Sequence, residues 1–203
     1  MALIVAVVII YRQTLSFELT ASFDSRIVKQ LREIVDTHGI GAFKNFSYVI
    51  SGGQYWTPLT HFFWLFDVWV WGDNTGLYRL LSIFFHITNA LLLFFLLRAT
   101  TNALWRSAIV AFLFAIHPVN IEQVVWWSVR GRLIATFFCF ISFLFYVHYT
   151  RKPAILRYFL VFLFWVIGFV AKPDVVFLPV LFLLFDFWPL QRFMDSHKNP
   201  KGF

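Results

Sequence analysis

The stretch HPVNIEQVVWWSVRGR, residues 117–132, sets a histidine, a carboxylate, paired tryptophans and two arginines between long apolar runs. These are residue types that do chemistry. Glu122, like Asp24 and Asp67 elsewhere in the chain, is able to hold or accept a proton. Arg130 and Arg132 offer bidentate forks to an oxyanion, and Lys172 a point charge. His117 is a proton, phosphate or metal group, and Trp126 and Trp127 present flat faces for stacking. Each also has a plainer role. Asp24 pairs with Arg26 or Lys29 on a surface helix, and Glu122 offsets the neighbouring arginines, Arg130 among them. His117, next to Pro118, caps a helix end. The cations snorkel and the tryptophans form an interfacial belt. Asp67, inside an aromatic run, needs a structural partner, for which Arg79 or His61 is at hand. His117 and Glu122 are five positions apart and do not share a helix face, so a two-ligand metal site on one helix is not expected. The sequence contains no Gly-rich phosphate loop, no Cys/His metal spacing and no nucleophile elbow.

The elements that position these groups follow from composition. The chain is 60% hydrophobic, 22% aromatic and only 13% charged, with a mean hydropathy of +0.74, whereas soluble domains carry about 25% charged residues. A water-soluble fold of 203 residues cannot bury so much apolar surface, but lipid can solvate it. The 28 Phe and 9 Trp suit hydrocarbon and interface respectively. The single cysteine, Cys139, allows no internal disulfide. The net charge of +7 reads as a topological signal or as contact with anionic headgroups, not as nucleic-acid binding.

The fold class is therefore an all-α, polytopic transmembrane helix bundle of about six spans. Residues 1–11 form an apolar segment of only about 16 Å, a clipped first span. Residues 12–75 form a large first loop. Within it Ile27, Leu31 and Ile34 recur at helical spacing ahead of Gly39 and Gly41, which predicts an amphipathic helix lying on the membrane surface. A second apolar, aromatic stretch ends at Gly72-Asp73-Asn74. Further spans are placed at about 77–98, 105–118, 132–150, 155–171 and 173–188, with boundaries at Pro118, Pro153 and Pro173. The 105–118 run is short and is expected inside the bundle. Residues 193–203 are a polar tail. Asp186 is read as a fold determinant, and Asn45-Phe46-Ser47 matches the N-glycosylation triplet.

Basic residues near the span ends set orientation. Arg98 and Arg106, then Arg151, Lys152 and Arg157, then Arg192, Lys198 and Lys201 alternate as cytoplasmic ends. Loop 12–75, segment 119–131 and the Lys172-Pro173-Asp174 turn then share the non-cytoplasmic face. Ionisable groups held there by neighbouring helices are functional candidates.

Three stretches in register carry a family resemblance: YWTPLTHFFWLFDVWVWGDNTGLYRLLSIFFHITNALLLFFLLR, AIHPVNIEQVVWWSVR and AKPDVVFLPVLFLLFDFWPL. Over about residues 20–192 the chain resembles multi-spanning membrane glycosyltransferases of the GT-C superfamily. Within that superfamily, the chain resembles the O-mannosyltransferase-like proteins that carry C-terminal tetratricopeptide repeats, over the first half of their membrane domain. The resemblance implies that residues 1–192 are a partial transmembrane domain that moves a sugar, mannose by analogy, from a polyprenyl-phosphate donor to a protein or glycan acceptor. It casts Asp24 in the first external loop as catalytic base, with Ser25 where the family has a second Asp, and Glu122 as a second catalytic group orienting the acceptor or holding a divalent metal. Arg130, Arg132 and Lys172 become donor-phosphate ligands, and His117, Trp126, Trp127 and Asp67 substrate contacts. Where the family often has an acid after the arginine, this chain has Gly131. The implied setting is multi-pass, in a prokaryotic plasma membrane or the endoplasmic reticulum, with membrane lipid as a partner. The competing reading is a non-catalytic relative that binds lipid or assembles with another chain supplying further spans. A transporter would place its polar groups at mid-membrane on broken helices, and here they sit at span ends.

Overall fold

The computed structural model describes residues 2–16, 22–43 and 56–187, and all the regular structure among them is helical. The polar tail and the Asn45 triplet lie outside the described residues. The α-helices, in chain order, are α1 (Ala2–Tyr11), α2 (Ser22–His38), α3 (Pro58–Trp71), α4 (Tyr78–Thr101), α5 (Leu104–Ile116), α6 (Ile121–Val125), α7 (Gly131–Arg151), α8 (Ile155–Ala171) and α9 (Leu178–Phe187). Single 3-10 turns join several of them.

Proline chemistry stops three helices. A residue before proline is pushed out of the α region by the pyrrolidine ring. His117 (ψ 130°), Lys152 (ψ 90°) and Lys172 (ψ 127°) are accordingly extended, each just ahead of its proline. Two other helices end on left-handed φ. Gly72 (φ 55°) donates its N–H to the Val68 carbonyl, and Asn102 (φ 54°) donates to that of Arg98. Asn102 is in the αL conformation that asparagine tolerates, whereas Gly72 (ψ −122°) is in a region open to glycine, and each N–H satisfies an orphan terminal carbonyl.

Thr75–Thr101 and Trp127–Arg151 are long and apolar enough to cross a membrane, and Leu104–Ile116 with Pro118–Val125 makes a third candidate, bent by 50°. Leu3–Ser16 and Ile155–Ala171 are shorter apolar helical stretches. The outer faces carry exposed Ile9, Phe84, Phe95, Ile109, Ile155 and Phe159, an extended apolar surface of the kind that lipid covers.

Helix α4 is the hub. Arg79, Ser82, His86 and Asn89 are all buried, and their 3-4-3 spacing puts them on one helix face. Each ties α4 to another segment. Arg79 Nε donates to the Val125 carbonyl (3.1 Å) and Ser82 Oγ accepts from Arg130 Nε (3.0 Å). His86 Nε2 meets the Ala115 carbonyl (2.9 Å) and Asn89 Nδ2 donates to that of Leu133 (2.9 Å). Each of these bonds occupies a polar group that would otherwise be buried unpaired at a cost.

Two placements correct the sequence expectations. α5 is not enclosed by the bundle. Only Ser107, Ala111 and Ala115, small residues four apart, are buried, while Trp105, Ile109 and Leu113 are exposed. Small side chains let one face approach α4 closely and leave the bulky ones outside. The amphipathic helix α2 does not offer its apolar face to lipid. Ile27, Leu31 and Ile34 pack with Trp64, Leu65, Val68 and Trp127, so the stripe is used against α3 and the segment that follows α6.

Candidate functional site

Asp24 lies in the first turn of α2, where the helix dipole favours a carboxylate. It is only 3% exposed. The Ser128 hydroxyl and backbone N–H donate to it, and the Arg79 guanidinium acts on it through space. Burial is the largest influence and pushes the carboxyl above its ordinary value; the Ser128 bonds and Arg79 oppose the shift. Asp24 Oδ1 has no protein hydrogen-bond partner. The first-loop helix is thus docked, through this carboxylate, on the 117–132 segment and on the start of α4. A buried carboxyl with a raised affinity for protons and an unpaired oxygen is a candidate general base.

A second carboxylate lies beneath it in the bundle. Asp67 and Arg130 form an ion pair with both side chains at 0% exposure. The same carboxylate oxygen accepts from Trp127 Nε1 (2.6 Å). Arg130 also donates from Nη2 to the Tyr78 carbonyl (2.6 Å) and from Nε to Ser82. Trp127 stacks loosely between Trp64 (5.2 Å) and Tyr78 (5.4 Å). This arrangement corrects several expectations. The partner of Asp67 is Arg130, not Arg79 or His61. Arg130 is committed to protein acceptors and closed to a donor phosphate in this structure. Trp127 is a core residue whose faces are covered by Trp64 and Tyr78, and Asp67 is sealed from any acceptor.

The other candidates lie nearer the surface. Glu122 is exposed on α6, where its backbone carbonyl accepts from the Trp126 N–H (3.0 Å). Trp126 is 51% exposed. His117 accepts from the Val119 N–H through Nδ1 (3.2 Å) and so caps the 3-10 turn Pro118–Asn120, the cap role open to it from the sequence. Arg132 and Asp174 form an exposed ion pair at 3.9 Å. Lys172, half-buried, follows α8 directly. Ala171 holds it against the rest of the site, because the Ala171 carbonyl accepts from Thr60 Oγ1 (2.7 Å) and lies against Gly131. A Cβ at position 131 would meet Thr60 Oγ1 at 2.6 Å, so the glycine is required for α3, α7 and α8 to meet.

The structure therefore brings Asp24, the 117–132 segment and the Lys172 turn to one end of the bundle. Among the described residues no three His, Cys, Asp or Glu side chains gather as a metal-binding group, so a divalent cation has no assembled protein donor set there. Sequence reasoning missed Ser128 and Arg79 as partners of Asp24. The available signal was the polar 79-82-86-89 stripe in an otherwise apolar helix, which marks the face of α4 that other segments must meet.

The chain matches no protein-family model, no curated protein sequence and no solved structure.

Proposed function

We propose that this chain is part of a polyprenyl-phosphate-dependent glycosyltransferase of GT-C type, with mannose as the sugar and a protein or glycan as acceptor. In this reading it is a multi-pass integral membrane protein of about six spans, α1, α8 and α9 crossing along with the longer helices, in a prokaryotic plasma membrane or the endoplasmic reticulum. The Asp24 end is non-cytoplasmic. The observation that carries the proposal is the state of Asp24: enclosed, held by Ser128, and with Oδ1 buried and unpaired.

The chemistry is an inverting displacement. The acceptor hydroxyl oxygen attacks the anomeric carbon as Asp24 takes its proton. The bond from that carbon to the phosphate oxygen breaks, and polyprenyl phosphate departs with the electron pair. Of the three donor-phosphate candidates, Arg130 is buried and engaged by Asp67, which leaves Lys172 and the exposed Arg132, paired loosely with Asp174, to support the departing phosphate. Glu122 and Trp126, both exposed, contact the acceptor, and His117 shapes the turn between α5 and α6. The test uses the purified chain in proteoliposomes, with radiolabelled polyprenyl-phosphate mannose and a membrane-extract acceptor pool. The proposal expects label transfer that Asp24→Asn abolishes; failure to bind or to turn over the donor ends it.

The enclosure of Arg130 favours a second reading, in which the chain is a non-catalytic relative that binds lipid or assembles with another chain supplying further spans. It predicts donor binding without transfer, restored only by a co-purifying partner.

A further inference from the structure

The end of the bundle away from Asp24 carries an apolar groove of about 260 Å³ between α7 and α8, lined by Ile141, Leu144, Phe145, His148 and Arg157. Ile141, Leu144, Phe145 and His148 fall on one face of α7 by helical spacing. The groove runs about 10 Å along that helix at 1.5 Å per residue, from apolar floor to polar rim. Arg157, at the groove, donates from Nη1 to the Lys152 carbonyl, and Lys152, the next basic residue, is exposed. Arg151 donates to the Ala99 carbonyl, joining this rim to the end of α4 that carries Arg98, with Arg106 just beyond on α5. Among the described residues, the carboxylate near this end is Asp186, which is largely buried and accepts from the Tyr146 hydroxyl (2.6 Å). The rim is strongly cationic, and the floor opens beside the exposed Tyr158, Phe159 and Phe162 face of α8.

We propose that this groove binds an anionic phospholipid, one acyl chain lying on Ile141, Leu144 and Phe145 and the phosphate held by Arg157 and Lys152. Charge complementarity selects the headgroup. The apolar floor, continuous with the outer face of α8, selects a chain-bearing ligand over free phosphate. Arg is suited to the contact because its planar fork meets two phosphate oxygens at once. The inference rests on the membrane placement of the bundle and is independent of sugar transfer.

Native mass spectrometry of the detergent-purified chain tests it, with phosphatidylglycerol and phosphatidylcholine of identical acyl chains as probes. The wild type should retain phosphatidylglycerol preferentially. Arg157→Gln should lower that retention about fivefold, the worth of one cation beside an anionic headgroup. Leu144→Trp fills the groove, leaves every charge in place, and should lower it as well. Arg106→Gln removes a cation outside the groove and should preserve the preference. Equal retention of the two lipids by the wild type would overturn the site, as would equal losses in Arg157→Gln and Arg106→Gln, which would mark diffuse attraction. Displacement of the lipid by millimolar inorganic phosphate alone would show that the acyl floor plays no part, and would overturn it too.

Discussion

Asp67 on α3 and Arg130 at the start of α7 face each other in the interior as an ion pair with no solvent exposure on either side. Trp127 donates to the same Asp67 oxygen from the 3-10 turn that leads into α7. In a low dielectric such a pair holds only while both partners are present, because the desolvation cost of each charge is offset by the other.

Removing one partner should therefore be far worse than removing both. Arg130→Met leaves the Asp67 charge buried and should cost about 3–5 kcal/mol. Asp67→Leu in the same chain should recover a large part of that loss. Denaturation of the single and double variants in detergent measures the coupling; additive losses would show that the two side chains do not act as a pair.

Asp24→Asn should separate activity from stability. Loss of a general base lowers sugar transfer by about 10²–10⁴-fold. The Asp24 carboxyl is raised by burial against the Ser128 and Arg79 influences. Its contribution to stability is thus fully present below the ordinary carboxylate value and is lost as pH rises through the raised folded value. At neutral pH the neutral amide should melt later than the carboxylate, and the difference should vanish in acid. A variant that melts earlier at neutral pH would show that the ionised group is, on balance, stabilising.

Ser128→Ala keeps the backbone N–H on Asp24 and deletes the hydroxyl, a group that favours the ionised form. The acidic limb of the transfer rate against pH should move to higher pH, because the base must be ionised to act. Ser128→Thr, which restores a hydroxyl, should bring it back. A fall in rate with no movement of the limb would mean that Ser128 positions the helix without tuning the acid.

Gly131→Ala should destabilise the bundle by about 1–3 kcal/mol, because the added methyl meets Thr60 Oγ1, itself bonded to the Ala171 carbonyl. Pairing it with Thr60→Ala, which removes the clashing hydroxyl, should relieve part of the strain in thermal denaturation. Full wild-type stability of Gly131→Ala alone would show that α3 shifts freely.

Lys172→Met keeps much of the apolar stem and removes the cation. If the ammonium holds the donor phosphate in ground and transition states alike, donor affinity falls and the maximal rate does not. If it supports the leaving phosphate, the rate falls. Thermal stability in detergent should change little. Early melting with binding and rate intact would mark Lys172 as structural.

The sequence by itself determined the local events. Apolar composition and period made the chain helical. Pro118, Pro153 and Pro173 ended helices because the ring sterically excludes the α conformation one residue before it, and the 155–171 run coincides with α8. The Ile27-Leu31-Ile34 stripe formed the amphipathic helix α2. The tertiary structure alone decided which buried charge met which. Asp67 had His61 near in sequence and Arg79 a short way on, yet it pairs with Arg130, brought close by the meeting of α3, α7 and α8 at Gly131. Asp24 takes Ser128, far along the chain, because the apolar stripe of α2 packs on α3 and Trp127 and carries the first turn with it. Helical period and proline stops are short-range steric effects, written residue by residue. Charge pairing in a low-dielectric interior depends on which helices pack together, and that packing is set by the whole bundle.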